Sequence, residues 1–247
     1  DVRREKWTKI KKYKKNDFLV IHGGPPCQPF SNSGKQKGKE DPRDMVPEFF
    51  RAVKEMKPDV FCMENVPAFG NKKFEQYLSQ QVEKSLGDSY YWCRFYMFAP
   101  HFGVPQRRER LFVIGFKNAL CLERFKIPTP THSISNFIND KKNSLKRYLS
   151  SYEDNEMETL PKTIGIREAI GLGGGFPDGL APTFRSGFTG PRNSTSILNG
   201  ASSQKVFAQL GIWGSGVAAS IVEAEAFAPE NGHTRLSVQD CSLIQGF

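Results

Sequence analysis

Three short segments of the 247-residue chain hold side chains that chemistry could use. The first is GGPPCQPFS, Gly23–Ser31, in which Cys27 follows two prolines. The rings of Pro25 and Pro26 fix φ, so the thiol is held on a preset loop. A lone cysteine in a turn is ordinarily inert, whereas one held at a ligand crevice can act as a nucleophile. The second segment is Glu64-Asn65-Val66, a carboxylate and an amide directly after an apolar run. By itself such a glutamate reads as surface, but beside a fixed thiol it can do acid–base work. The third is QRRER, Gln106–Arg110, ahead of the apolar run LFVIG. Its arginines can form an ordinary ion-pair cluster or offer forked donors to a base edge or phosphate.

Periodicity supplies the elements that must position them. Asp17–Ile21 reads as a buried strand running into Gly23-Gly24. Met45, Val46, Phe49, Phe50, Val53 and Met56 follow helical spacing, with Pro58 just beyond. Asp59–Met63 predicts a second buried strand, and Phe74, Tyr77, Leu78, Val82 and Leu86 a second amphipathic helix stopped by Gly87. Tyr90–Ala99 and Arg110–Phe116 are rich in aromatic and branched residues, as strands are. This alternation predicts an α/β sheet with its ligands at the carboxyl ends of the strands. Cys27 and Glu64 both follow such ends. After about residue 120 the pattern changes. Residues 128–162 are rich in Ser, Thr, Pro, Asn and Lys, and residues 171–216 are dense in glycine, which suits a loop-rich second module. Thr234–Phe247 reads as a capped helix interrupted by the chain end. No repeat of 20–50 residues is visible.

Composition narrows the partners. Thirty-five Lys and Arg against 26 Asp and Glu give a net charge of +9, which suits a polyanion or a solvated basic surface. Residues 1–15 hold eight basic and two acidic residues, and no function is assigned to them. Twenty Phe with 25% charged residues exclude general disorder. No apolar run reaches the roughly 18 residues of a membrane helix, and the charged start is no secretory signal. The five cysteines, at 27, 62, 93, 121 and 241, form no C-x-x-C pair, and the four histidines add no zinc-type spacing. Reduced thiols, a cytoplasmic location and no metal site are expected.

Together and in this order, the three segments resemble the cytosine-C5 DNA methyltransferase family. The nucleophile motif matches Pro25-Pro26-Cys27-Gln28-Pro29-Phe30-Ser31, the ENV motif Glu64-Asn65-Val66, and the QxRxR motif Gln106, Arg108 and Arg110. Weaker matches follow at Thr163–Ile170, at Ala181-Pro182-Thr183 and at Arg235–Phe247. The resemblance implies a partial Rossmann-like S-adenosylmethionine-dependent methyltransferase sheet with a smaller, loop-rich target-recognition domain. Residues 1–120 would be the catalytic part, 121–233 the recognition region and 234–247 a return to the catalytic domain. It implies attack by the Cys27 thiolate on C6 of a flipped cytosine, with Glu64 holding the N3/N4 edge and Arg108 contacting O2. Arg110 is the second candidate for that contact. Gln28, Ser31, Asn65, Gln106, Thr183, Arg185 and Arg192 would meet double-stranded DNA, the last two from a glycine-rich loop able to read guanine or grip phosphate.

The cofactor implied is S-adenosylmethionine. Pro26 is the best-placed contact for it, and Asp1 matches an acidic position that reaches the adenine. The family's F-x-G-x-G motif and its closing asparagine motif are absent from residues 1–247. A fragment, or one half of a split enzyme of prokaryotic restriction–modification or phage type, is therefore expected, with a complementary chain as a possible partner. Two other readings stand beside this one: a tRNA cytosine-5 methyltransferase, and a non-catalytic DNA-binding remnant. Ser31 favours the DNA branch, because the RNA branch usually carries Thr there.

Overall fold

A computed structural model describes residues 1–10, 17–30, 37–137, 159–184, 201–226 and 232–247. Ser31, Arg185 and Arg192 lie outside the described residues. The chain forms two units: Asp1–Met97 with Glu109–Pro128, and Phe98–Arg108 with Thr129–Phe247. The division therefore does not fall simply at residue 120. The Phe98–Arg108 stretch, which carries two of the three QxRxR positions, belongs to the second unit.

The first unit is built on a four-stranded sheet. Its strands are β1 (Val20–Gly23), β2 (Val60–Asn65), β3 (Tyr91–Phe98) and β5 (Glu109–Phe116), in the order β1-β2-β5-β3. β1 and β2 are parallel, as an intervening helix requires, and β2 and β5 are antiparallel. Helix α1 (Val46–Met56) has proline in its first turn, and the Val46 N–H donates to Asp44 Oδ1 at 3.0 Å. It ends where Lys57 turns left-handed (φ 50°) ahead of Pro58. Helix α2 (Lys72–Leu86) stops at Gly87, also at positive φ.

Both helices cover one face of the sheet. Phe50, Val53, Phe61, Met63, Leu78, Leu111 and Val113 are buried there in one cluster with Phe30 and Phe69. Each such side chain stabilises the fold by about 1.5–3 kcal/mol relative to exposure. The opposite face is partly covered by the segment after α3 (Ala119–Arg124). Phe125 packs on Phe95 and Phe116, and Phe95 stacks on Phe112 at 5.5 Å.

The first strand departs from expectation. Asp17–Ile21 is not a buried strand: pairing starts at Val20, and Phe18 and Val20 are 71% and 48% exposed. Its apolar composition matched a central strand, yet among the described residues β1 is an edge strand with β2 as its one neighbour.

In the second unit, β4 (Gln106–Arg107) pairs in parallel with β6 (Ala181–Pro182), and β7 (Ile212–Ala218) with β8 (Thr234–Ser237). The helices are α4 (Ile166–Ala169), α5 (Ala201–Gln209), α6 (Ile221–Glu225) and α7 (Val238–Ile244). Ile166, Phe207, Ile212, Leu236, Cys241 and Ile244 share its core. Thr234–Phe247, expected as a helix returning to the first module, is a strand followed by a helix and lies in the second unit. Ser237 and Asp240 form a reciprocal capping box at the start of α7. The helix ends at Ile244, before the last residues.

Candidate active site

The carboxyl ends of β1 and β2 bring two of the three motifs together. Cys27 is half-buried in a turn beyond β1, where the Phe30 N–H donates to the Cys27 carbonyl at 3.0 Å. Pro26 and Gln28 on either side are exposed, and Pro29 and Phe30 are buried. Asn65, the last residue of β2, reaches across: its Nδ2 donates to the Pro25 carbonyl at 3.3 Å. Its Oδ1 accepts the Val66 N–H at 2.9 Å. Asn65 is 1% exposed, so it braces the proline turn and is not presented to DNA as the sequence suggested.

Glu64 faces the opposite way from Met63, as strand alternation demands. Its carboxylate comes so close to Gly24 that a Cβ there would lie 3.1 Å from Glu64 Oε2. Glycine is what lets the carboxylate approach the loop that carries Cys27.

The arginine paired with this carboxylate is Arg110. Its Nε donates to Glu64 Oε1 at 2.6 Å, with the two side chains 19% and 34% exposed. The register explains the choice. Glu64 is opposite Phe112 and Cys62 opposite Ile114, so Arg110, two residues before Phe112, shares their face of the sheet. Leu111 and Val113 point into the core instead. The sequence placed Arg108 first and Arg110 second; within the first unit it is Arg110 that pairs with Glu64.

The thiols differ in environment. Burial pushes the Cys62, Cys93 and Cys241 thiols up, with the nearby Glu64 charge adding to Cys62 and Cys241 reaching about 12. None of these three is suited to form a thiolate. Asp1 is a capping residue here. Its carboxylate accepts the Arg3 N–H at 3.1 Å and pairs with the Arg3 guanidinium at 2.6 Å. Arg51 of α1 ties this segment down through the carbonyls of Val2 and Glu5.

The remaining motif positions meet one another inside the second unit. Gln106 and Arg107 pair with Ala181 and Pro182, and the Thr183 hydroxyl donates to the Arg107 carbonyl at 2.6 Å. Thr183 thus holds the QxRxR backbone. The Arg108 carbonyl accepts the Ala99 N–H at 2.8 Å, and the Arg108 side chain is half-buried. Gln106 is fully buried, which removes it from any surface contact. Sequence reasoning missed Arg167, a 6% exposed arginine whose guanidinium donates to the carbonyls of Leu210 at 2.9 Å and of Gly173. It also missed the Tyr77–Asp44 pair beneath Phe30. Arg167 lies in the weak TIGIREAI match, where its type could have drawn notice.

The cleft beside the carboxyl ends of α1 and α2, about 730 Å³, is lined by Lys54, Lys57, Lys84 and Lys117. It lies by the start of β2, a strand length from Glu64, and takes no part in this site.

Known proteins resemble this chain over part of their length. A type II methyltransferase of Picosynechococcus, M.AquIA, is 46% identical over 127 residues, covering 48% of this chain and 50% of that protein. M.HhaI of Haemophilus parahaemolyticus is 33% identical over 171 residues, covering 64% and 51%. M.NgoMIV of Neisseria gonorrhoeae is 38% identical over 111 residues, covering 45% and 35%. Against these relatives the chain spans about half their length or less. Among solved structures, a methyltransferase of Entamoeba histolytica, EhMeth, is 21% identical at a TM-score of 0.40, covering 58% of this chain and 45% of that one. The model of the C-5 cytosine-specific DNA methylase family matches residues 1–247, and the chain belongs to that family.

Proposed function

We propose that this chain is the nucleophile-bearing part of a DNA (cytosine-5-)-methyltransferase of the restriction–modification type. The observation that carries the reading is the Arg110–Glu64 pair set against Gly24, with Asn65 bracing Pro25 beside Cys27. Cytosine C5 is a weak nucleophile until a thiolate adds to C6 and makes the ring enamine-like. Cys27, on a loop preset by two prolines, makes that addition. Glu64 holds the N3/N4 edge of the ring, and Arg110 fixes the carboxylate while presenting its remaining N–H groups to O2. S-adenosylmethionine, when bound, supplies the methyl group to C5. Loss of the C5 proton then lets the Cys27 sulfur leave C6. The target cytosine must leave the duplex for Cys27 to reach it.

The residues present do not by themselves make the cofactor's site. Pro26 is exposed beside Cys27, but the Asp1 carboxylate is taken up by Arg3, and no F-x-G-x-G segment occurs in residues 1–247. Cofactor binding is thus assigned to the assembled enzyme, with a complementary chain as one source of the rest. Arg185 and Arg192 stay candidates for base reading, and duplex DNA is the partner that the +9 charge suits. Among the described residues no helix is long and apolar enough to cross a membrane.

The test is covalent trapping. A duplex carrying 5-fluorocytosine cannot lose fluorine as it loses a proton, so the assembled enzyme should remain bonded to it through Cys27. Cys27→Ala should give no adduct while still binding duplex. An adduct that maps to Cys62 or Cys93 sinks the assignment, and trapping on a tRNA cytosine but not on DNA would move the chain to the RNA branch.

A further inference from the structure

The turn that carries Cys27 is fastened from below by side chains outside the three motifs. Phe30 is fully buried, with its ring centroid 4.2 Å from Phe69, 5.3 Å from Phe74 (edge-on) and 6.0 Å from Tyr77 (stacked). The backbone is closed at the same place. The Phe30 N–H donates to the Cys27 carbonyl at 3.0 Å, and the Gly38 N–H to the Pro29 carbonyl at 2.9 Å. Gly38 adopts positive φ (58°) against Phe74, where a Cβ would meet the ring at 3.0 Å. One aromatic cluster therefore grips the chain at both Phe30 and Gly38.

That cluster contains one polar member. The Tyr77 hydroxyl donates to Asp44, whose other oxygen accepts the Val46 N–H that opens α1. For packing alone Phe at 77 would serve, since a half-buried hydroxyl and carboxylate both lose hydration. What the pair adds is orientation. It fixes the Tyr77 ring on Phe30 and ties α2 to the start of α1, the two helices that cover β1, which leads into the Cys27 turn, and β2, which carries Glu64.

We propose that Tyr77 and Asp44 are positioning residues for the nucleophile, a latch that acts through the Phe30 ring to hold Cys27 where it can attack. The inference rests on Cys27 being the nucleophile, so its test has one readout that needs no chemistry. In Tyr77→Phe the ring stays and the latch opens. Amide exchange of Phe30 and Gly38, followed by NMR on the intact chain, should speed up about tenfold, while the amides of the opposed pair Cys62 and Ile114 in β2 and β5 keep their protection. Asp44→Asn, whose amide oxygen can still accept the Val46 N–H while its Nδ2 donates to the Tyr77 hydroxyl oxygen, should leave all four near wild type. In the assembled enzyme Tyr77→Phe should slow trapping by 5-fluorocytosine DNA about tenfold with duplex affinity unchanged.

Unchanged exchange at Phe30 and Gly38, or equal loosening of the β2–β5 ladder, overturns the latch. Trapping of Tyr77→Phe at the wild-type rate overturns it too, while leaving the nucleophile assignment intact. Failure of the unaltered enzyme to trap at Cys27, with the exchange result as expected, overturns the nucleophile reading and with it the latch's catalytic purpose.

Discussion

The Glu64–Arg110 pair can be asked whether it serves stability or chemistry, because its geometry gives the two different magnitudes. The partners are 2.6 Å apart but 34% and 19% exposed, so water screens much of their attraction. Exposed and half-exposed pairs contribute roughly 0.2–1 kcal/mol in double-mutant cycles, against about 3–5 kcal/mol for breaking a fully buried one. A cycle of Glu64→Gln, Arg110→Ala and the double variant, read by urea unfolding, should return a coupling of about 1 kcal/mol or less. The same variants should fare far worse in chemistry. A positioned acid–base group contributes roughly 10²–10⁴-fold, equivalent to about 3–5 kcal/mol of barrier. The rate of covalent trapping by 5-fluorocytosine DNA should therefore fall at least a hundredfold in Glu64→Gln. In Arg110→Ala it should fall at least tenfold, because the carboxylate then loses the donor that fixes it. A stability coupling near 3 kcal/mol with trapping rates within a factor of two would show the pair to be a structural clasp, and the reasoning from Gly24 would fall with it.

Two smaller expectations concern Gly24 and His101. Gly24→Ala, whose methyl would sit 3.1 Å from Glu64 Oε2, should displace the carboxylate and slow trapping about tenfold, while the urea midpoint moves by less than the equivalent of about 1 kcal/mol; an unaffected rate would mean that Glu64 need not be where it is seen. His101 is 3% exposed, and burial pushes its imidazole down to about 4. The native state therefore stays neutral while the unfolded chain takes a proton near pH 6.5, so stability is full above that pH and falls by about 3 kcal/mol on descending to pH 4. Urea midpoints across that window should show the slope in wild type and lose it in His101→Leu.

How far the sequence could be read depended on whether the determining contacts are local. α1 and α2 were legible because their apolar positions repeat at the helical period and Pro58 and Gly87 stop them. β2 was legible as a buried run, though its pairing carries on through Glu64 and Asn65, polar residues that no hydrophobic pattern would include. β1 misled because Phe18 and Val20 look like core, and whether a strand has one neighbour or two is not written in its own residues. The C-terminal segment misled for a related reason. Thr234–Ser237 gains its strand character by pairing with β7, and only the capping residues that follow announce themselves.

The site divides along the same line. Cys27, Glu64 and Arg110 can be picked out by residue type, because the proposed chemistry needs a thiol, a carboxylate and a guanidinium near strand ends. Which arginine meets the carboxylate could not be found that way. QRRER offers three, and the answer depends on the β2–β5 register, which sets Phe112 across from Glu64 and so turns Arg110 towards it. Asn65 and Gln106 show the converse. Both look like polar recognition residues, and both are buried: Asn65 spends its donor on the Pro25 carbonyl, whereas the Gln106 amide makes no hydrogen bond among the described residues. Thr183 likewise spends its hydroxyl on the Arg107 backbone, joining two motifs that are 76 residues apart in the chain. Motif matching therefore locates polar side chains at the strand ends without telling a partly exposed one from one that braces the fold. Register and burial separate them in the first unit: Glu64 stays partly exposed beside Arg110, whereas Asn65, one residue on, is buried against the loop that carries Cys27.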